Sequence, residues 1–242
     1  MKNRETQAAT PFSFDDSDVA TWALPEGAIA RLGRGSVYYA MAFSPDGQHF
    51  AVGTKIGLWL YDLPTLSPIA LWETDRGYID GVTFSPDSRW IASYTYREAL
   101  RVWDIQNESC IAEMEFKDQQ DRWGLSKPVF CQDGERLVAF GGYKVKVQIW
   151  CPHTGTRLSE TEIPSTYDVS PTCFSPDLRL LAGTSYDRNN RTAEFIAVWN
   201  VETGEQVARL DWSERWGRLC FSPCGWFLAA GGSEGKIQMW NV

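Results

Sequence analysis

The sequence predicts an all-β repeat protein, and three observations carry that prediction. The stretch Ala42-Phe43-Ser44-Pro45-Asp46-Gly47 recurs as Thr83-Phe84-Ser85-Pro86-Asp87-Ser88, Val129-Phe130-Cys131-Gln132-Asp133-Gly134, Cys173-Phe174-Ser175-Pro176-Asp177-Leu178 and Cys220-Phe221-Ser222-Pro223-Cys224-Gly225. Its phenylalanines, at 43, 84, 130, 174 and 221, stand 41, 46, 44 and 47 residues apart, the kind of period that marks a repeat architecture. A second signature follows each copy in phase: Tyr61-Asp62, Trp103-Asp104, Trp150-Cys151, Trp199-Asn200 and Trp240-Asn241. The residues between alternate with period 2 and are rich in β-branched and aromatic side chains, and no stretch reads as a long amphipathic helix.

Residues 1–24 lie outside the repeat. They hold two basic and four acidic side chains without a sustained period, and are expected to form a loose acidic arm. From Pro25 onward four short strands recur in the order d, a, b, c. The first d strand is Gly27-Ala28-Ile29-Ala30-Arg31-Leu32, which is echoed by Gly204-Glu205-Gln206-Val207-Ala208-Arg209-Leu210. Strand a is Val37-Tyr38-Tyr39-Ala40-Met41-Ala42-Phe43. It stops at Ser44-Pro45-Asp46-Gly47, where Pro fixes φ and Asp-Gly supplies the turn hydrogen bond and the permissive backbone. Strand b covers 49–52 and strand c covers 57–62. In the later repeats strand a is expected near 78–84, b near 90–93, and the c strands at 100–104, 147–151, 196–200 and 237–241. The c–d connections, such as His153-Thr154-Gly155 and Glu202-Thr203-Gly204, carry good turn chemistry.

A length of 242 residues holds one large all-β domain or two small ones. The hydrophobic content of 43% and charged content of 22% describe a soluble globular chain. The 12 Trp exceed ordinary usage, and such residues fill the space between sheets or make contact surfaces. A net charge of -8 with no basic stripe argues against nucleic acid as a partner. The chain has no apolar run of the roughly 18 residues that a spanning helix needs. No signal-peptide pattern opens it, so no membrane partner is expected. The six cysteines form no C-x-x-C pair. Cys131, Cys173 and Cys220 flank the repeated phenylalanine, where small buried residues are wanted, so free thiols in the reducing cytoplasm are expected. His49 and His153 fall in different repeats beside turns, which argues against a zinc site; no metal or cofactor is expected.

The two signatures in phase resemble the WD40 repeat family over residues 25–242, and the first two repeats are similar to divergent bacterial members. Trp-Asp is intact only at Trp103-Asp104, and the Gly-His pair of the family is absent. The resemblance implies a β-propeller of four-stranded blades without the family's His–Ser/Thr–Trp network. Five repeats are visible where the family typically has seven. The chain starts in a d strand and stops in a c strand. In the family the first d strand completes the last blade, so a five-bladed closed ring is expected, with the N-terminal strand as the clasp. The competing architecture is an open arc completed by a second copy or another subunit; a monomer is favoured over a homodimer.

The resemblance also places the d–a and b–c loops on one face and the Ser-Pro-Asp-Gly turns on the other. The turns read as purely structural. The first face carries Asp75-Arg76-Gly77-Tyr78, Asp121-Arg122-Trp123, Tyr167-Asp168, Asp187-Arg188 and Glu214-Arg215-Trp216, with Tyr38, Tyr39, Tyr96 and Tyr143 nearby. Aromatics and arginines anchor interfaces because they combine area with a polar handle. A protein or peptide partner is therefore expected at Tyr38, Arg76, Tyr78, Arg122, Trp123, Tyr167, Asp168, Asp187, Arg188, Arg215 and Trp216. Paired tryptophans, Trp72 with Trp212 and Trp90 with Trp226, read as packing between sheets, with sugar stacking in a lectin as the alternative. Catalysis has little support. The chain has no Gly-x-Ser-x-Gly elbow, P-loop or dinucleotide fingerprint, and Asp80 and Asp168 alone do not make a glycosidase centre.

Overall fold

Each repeated turn is closed by the residue that follows its phenylalanine. In the computed structural model of this chain, the Ser44 hydroxyl accepts the His49 N–H at 2.8 Å and donates to Asp46 Oδ1 at 2.5 Å. The same carboxylate oxygen accepts the Gln48 N–H at 3.0 Å. Ser85 and Ser175 repeat the relay, donating to Asp87 and Asp177 at 2.6 Å. In the third repeat the Cys131 thiol takes the same place, accepting the Arg136 N–H at 3.0 Å and donating to Asp133. A charged acceptor with an O–H or S–H donor on one side and an N–H on the other locks the reversal. This explains why the worn third copy still folds as a turn.

The structure describes residues 26–29, 37–73, 78–95, 99–115, 128–141, 146–163, 168–186, 193–212, 218–232 and 235–242. These form five antiparallel sheets, and the described residues include no helix. The first sheet is β1 (Val37–Phe43), β2 (His49–Thr54), β3 (Gly57–Asp62) and β4 (Ser67–Glu73). The second is β5 (Ile79–Phe84), β6 (Trp90–Thr95), β7 (Ala99–Asp104) and β8 (Ser109–Glu115). The third is β9 (Val129–Phe130), β10 (Leu137–Gly141), β11 (Lys146–Cys151) and β12 (Thr156–Glu162). The fourth is β13 (Asp168–Phe174), β14 (Leu180–Tyr186), β15 (Ala193–Asn200) and β16 (Gln206–Asp211). The fifth has three strands: β17 (Arg218–Phe221), β18 (Phe227–Gly231) and β19 (Ile237–Asn241). Strands pair in chain order within every sheet, the pattern of propeller blades.

The chain divides into two compact units. Unit 1 is Met1–Gln119 with the turn Pro152–Gly155, and unit 2 is Gln120–Cys151 with Thr156–Val242. In unit 1, Leu58, Leu60, Ala51 and Trp72 of the first sheet pack on Ile79, Val82, Ile91 and Trp103 of the second. The Trp72 and Trp103 rings stack with centroids 5.2 Å apart, and the Trp72 indole N–H donates to the Glu108 carbonyl at 3.0 Å. Fully burying one such leucine contributes about 1.5–3 kcal/mol. In unit 2, Val138, Ile149, Leu181 and Trp199 belong to one cluster, and Ile196, Trp212, Leu219 and Leu228 to another.

The fourth turn residue is left-handed in every repeat, which suits Gly47, Gly134 and Gly225. Ser88 (φ 60) and Leu178 (φ 58) occupy the same conformation with a Cβ, and each has a contact to offset it. The Ser88 hydroxyl accepts the Asp46 N–H of the neighbouring turn at 3.1 Å, and the Leu178 side chain is buried in the core. In the first, second and fourth sheets the residue after the closing aromatic caps the next turn. Asp62 accepts the Thr65 N–H at 2.9 Å, Asp104 the Asn107 N–H at 3.0 Å, and Asn200 the Thr203 N–H at 3.0 Å.

Several expectations need correction. The repeated phenylalanines, which as large apolar residues at fixed places would be expected in the core, differ in burial: Phe84 and Phe130 are buried, Phe174 and Phe221 half-buried, and Phe43 is 63% exposed against Phe50. Cys131 is buried, Cys173 half-buried and Cys220 exposed. The tryptophan pairs are out of register. Trp72 pairs with Leu58, whereas Leu210, not Trp212, holds that place opposite Ile196. Trp90 lies opposite Asp104, and the matching residue opposite Asn241 is Phe227; Trp226 falls one residue earlier, where the second repeat has Arg89. Trp72, Trp90 and Trp212 are buried, leaving no stacking face for a sugar, while Trp226 is 67% exposed. One part of the tryptophan network expected to be missing is present, since Trp103 donates to Ser93.

Candidate interaction face

The b–c turn of the first sheet is built from below. Thr54, buried at the end of β2, donates its hydroxyl to the Gly57 carbonyl at 2.9 Å and accepts the Ile56 N–H at 3.3 Å. This staple leaves Lys55 and Ile56 pointing to solvent. Thr95 ends β6 in the same register and accepts the Ala99 N–H at 3.3 Å. Ser185 holds the corresponding place in β14, and its buried hydroxyl has no hydrogen-bond partner.

Tyr78 immediately precedes β5 and is exposed, and Lys55 Nζ stands 5.7 Å from its ring centroid. That distance is within cation–π range. Lys55, Ile56 and Tyr78 thus form an exposed cation–aliphatic–aromatic patch at the d–a/b–c end of unit 1. Asp80, two residues further on, is half-buried near Tyr94. Burial, with a smaller contribution from the Asp80 charge, pushes the Tyr94 phenol above its usual range. Among the described residues no three His, Cys, Asp or Glu side chains come together as metal ligands.

Of the residues predicted to bind a partner, Tyr78 alone is described with its side chain. Tyr38 lies in β1 and Asp168 opens β13, paired with Tyr186, and both are described in backbone only. Arg76, Arg122, Trp123, Tyr167, Asp187, Arg188, Arg215 and Trp216 lie outside the described residues, as do Tyr96, Tyr143 and the arm 1–24. Lys55 and Ile56 were not singled out by the sequence reading. The signal was available, because a two-residue b–c turn must fall at the same end of its sheet as the d–a loops.

A family model described as "WD domain, G-beta repeat" matches residues 67–104. That span is β4 followed by β5, β6 and β7, one repeat in d, a, b, c phase. It ends on the intact Trp103-Asp104 and contains Ser93. Residues 67–104 are thus a WD40 repeat. It is 24% identical over 210 residues to "Protein HIR1" of Candida albicans, covering 85% of this chain and 19% of that protein. It is 24% identical over 241 residues to "Autophagy-related protein 16" of Arabidopsis thaliana, covering 94% of this chain and 44% of that protein. The chain therefore spans less than half the length of these relatives. A solved chain of Kuenenia stuttgartiensis hydrazine synthase shares the fold, with a TM-score of 0.65 at 18% identity, over 84% of this chain and 64% of that one.

The turn face differs between repeats in one respect. In the fifth copy Cys224 replaces the aspartate, with Ser222 Oγ and Cys224 Sγ 3.2 Å apart. The Ser222 hydroxyl and then the Trp226 N–H, both directed at the sulfur, draw the thiol below its usual range. In the other turns the carboxylates of Asp46 and Asp133 are lowered chiefly by the Ser44 hydroxyl and the Cys131 thiol. For Asp177 burial works the other way, and the Ser175 hydroxyl with the Arg179 N–H outweighs it.

Proposed function

We propose that this WD40-repeat chain is a non-enzymatic cytoplasmic scaffold that binds a protein or peptide through its d–a/b–c loop face. The observation that carries the reading is the exposed Lys55–Ile56–Tyr78 patch, in which Thr54 fixes from within the turn that holds Lys55 and Ile56 and Lys55 stands over Tyr78. Rigid strands present loops without an ordering cost at the moment of binding. The recurring acid–Arg–aromatic loops at 75–78, 121–123 and 214–216 extend the same chemistry. The family resemblance of whole relatives supports an interaction role, while fold alone assigns no partner. The test is affinity purification with mass spectrometry, followed by titration of the partner so identified. Tyr78→Ala, Lys55→Glu, Trp123→Ala and Trp216→Ala, combined, are expected to weaken that titration at least tenfold. Unchanged affinity overturns the reading.

We infer further that the ring closes within one chain, residues 27–32 supplying the fourth strand of the fifth sheet. Three features support this. Ile237 and Met239 of β19 are 80% and 63% exposed, whereas Leu58 and Leu60, their register equivalents in β3, are fully buried. Met41 and Phe43 of β1 are exposed, whereas their equivalents Val82 and Phe84 are buried. Gly27 has φ 82, matching the left-handed residue that precedes each other outer strand: Leu66, Glu108, Gly155 and Gly204. An added strand would remove both a free sheet edge and the exposed apolar face. Amide hydrogen exchange tests it: all β19 amides are expected to be protected, and deletion of 1–36 is expected to release alternate ones. Rapid exchange of alternate β19 amides in the full chain would support the open arc instead.

A further inference from the structure

The fifth turn departs from the other four at two neighbouring positions. Where the others carry Asp46, Asp87, Asp133 and Asp177, it carries Cys224. Where they carry Gln48, Arg89, Glu135 and Arg179, it carries Trp226, and the next residue is Phe227. The hydrogen-bond frame is unchanged: Ser222 N–H donates to the Phe227 carbonyl at 2.8 Å and Gly225 N–H to the Ser222 carbonyl at 2.8 Å. The substitutions therefore alter the surface and not the turn. Gln48, Arg89, Glu135 and Arg179 are all exposed, so the 67% exposure of Trp226 belongs to its position. Phe227 is different. Its equivalent Trp90 is buried edge-on against His153, 4.3 Å between centroids, whereas Phe227 is 43% exposed.

We propose that the Trp226 corner is a self-association site through which two copies of this chain meet about a two-fold axis. The argument is one of charge. The chain carries a net charge of -8, so two copies meet at least electrostatic cost where carboxylates have been removed. The fifth turn alone lacks the aspartate and also replaces the following charged or polar residue with an indole. A partner of opposite charge gains nothing from that removal, whereas a second copy does. A two-fold axis sets each Trp226 against the other copy's Pro223–Trp226 surface, and tryptophan is the residue most enriched at such anchors. The patch is small beside the roughly 800 Å² per partner of a standard interface, so association shows only at high concentration. Nothing here rests on the loop-face reading, since Tyr78 and Trp226 flank opposite ends of their strands.

Sedimentation equilibrium of the full chain tests the proposal. The mass is expected to rise from 27.4 kDa toward twice that value as concentration increases. Trp226→Glu and Trp226→Arg place there residues that the same turn already carries at 135 and 179, so folding is not at issue. Both are expected to weaken association by at least about 30-fold, as loss of an anchor does. Leu158→Glu, at another exposed apolar residue, is expected to leave it unchanged. A wild-type chain monomeric to ~1 mM assigns the patch to a different protein and overturns the proposal. Variants at Trp226 that associate like wild type, or an equal loss in Leu158→Glu, overturn it as well.

Discussion

The indole N–H of Trp103 donates to the Ser93 hydroxyl at 2.8 Å inside the second sheet, with both residues buried. At the register equivalents of Ser93 the other sheets carry Val52, Ala139, Gly183 and Ala230, none of which can accept. The one repeat that keeps this bond is the one that keeps Trp-Asp. Ser93→Ala leaves a buried N–H without its acceptor, which costs about 1–3 kcal/mol. A urea titration is expected to show a lower midpoint for Ser93→Ala with little change in slope. An unchanged midpoint would mean that the bond contributes nothing net.

The reason the fold was legible lies in residues such as Gly57–Asp62 and Ile237–Asn241, where period-2 alternation bounded by turns located the strand to the residue. What stayed hidden depends on neighbours that no local pattern encodes. Phe43 and Phe84 are the same residue in the same motif, yet one is exposed and the other buried, because burial is decided by the next sheet. The role of Ser44 was credited to Pro45 and Asp46 since the relay runs through a side chain and not through φ. Trp90 and Trp226 looked paired because both follow a repeated turn, and one residue of register separates a core ring from a surface ring. At the loop face Tyr78 is legible from its chemistry, whereas Lys55 is legible only from its place in a two-residue turn, which sets it at the same end.

Thiol reactivity follows from where the six cysteines sit. Cys220 and Cys224 are exposed, and Cys224 is drawn toward the thiolate by the Ser222 hydroxyl and the Trp226 N–H. Burial pushes Cys131 and Cys110 the other way. The thiolate is the reacting form, so access and ionisation act together. Titration with a chromogenic disulfide at neutral pH is expected to give two fast thiols in the native chain, reduced to one by Cys224→Ser. Fast labelling of Cys131 without denaturant would contradict the burial that the third turn requires.

The turn carboxylates make stability depend on pH at the acid end. Asp46, Asp133 and Asp177 are each lowered in the folded chain. A carboxylate with a depressed folded pKa stabilises the fold fully above its unfolded value of about 3.9, and loses that contribution as pH falls through the folded value. All three groups are largely exposed, so solvent screening keeps each contribution small. Urea midpoints are expected to hold from neutral pH down to roughly pH 5 and then to decline toward pH 2. In the triple variant Asp46→Asn, Asp133→Asn, Asp177→Asn the decline is expected to be shallower, from a lower plateau. An identical acid limb in wild type and variant would remove these turns from the account.

Ser88 and Leu178 provide a test of how left-handed turns tolerate a side chain. A Cβ in this conformation costs roughly 1–2 kcal/mol relative to glycine. Ser88→Gly removes that cost and also removes the acceptor for the Asp46 N–H, a bond worth about 1 kcal/mol, so its net effect is expected to lie within about 1 kcal/mol of zero. Leu178→Gly relieves the same strain and empties a buried site lined by Val138, Leu181 and Trp199. Truncating a buried leucine costs about 2–5 kcal/mol, which outweighs the relief, so a loss of roughly 1–3 kcal/mol is expected. Both substitutions place glycine at the same turn position, and their difference in urea midpoint compares the buried leucine with the serine hydrogen bond over a common backbone relief. Equal effects at both positions would show that backbone strain, and not core packing, decides which residue the fourth turn position accepts.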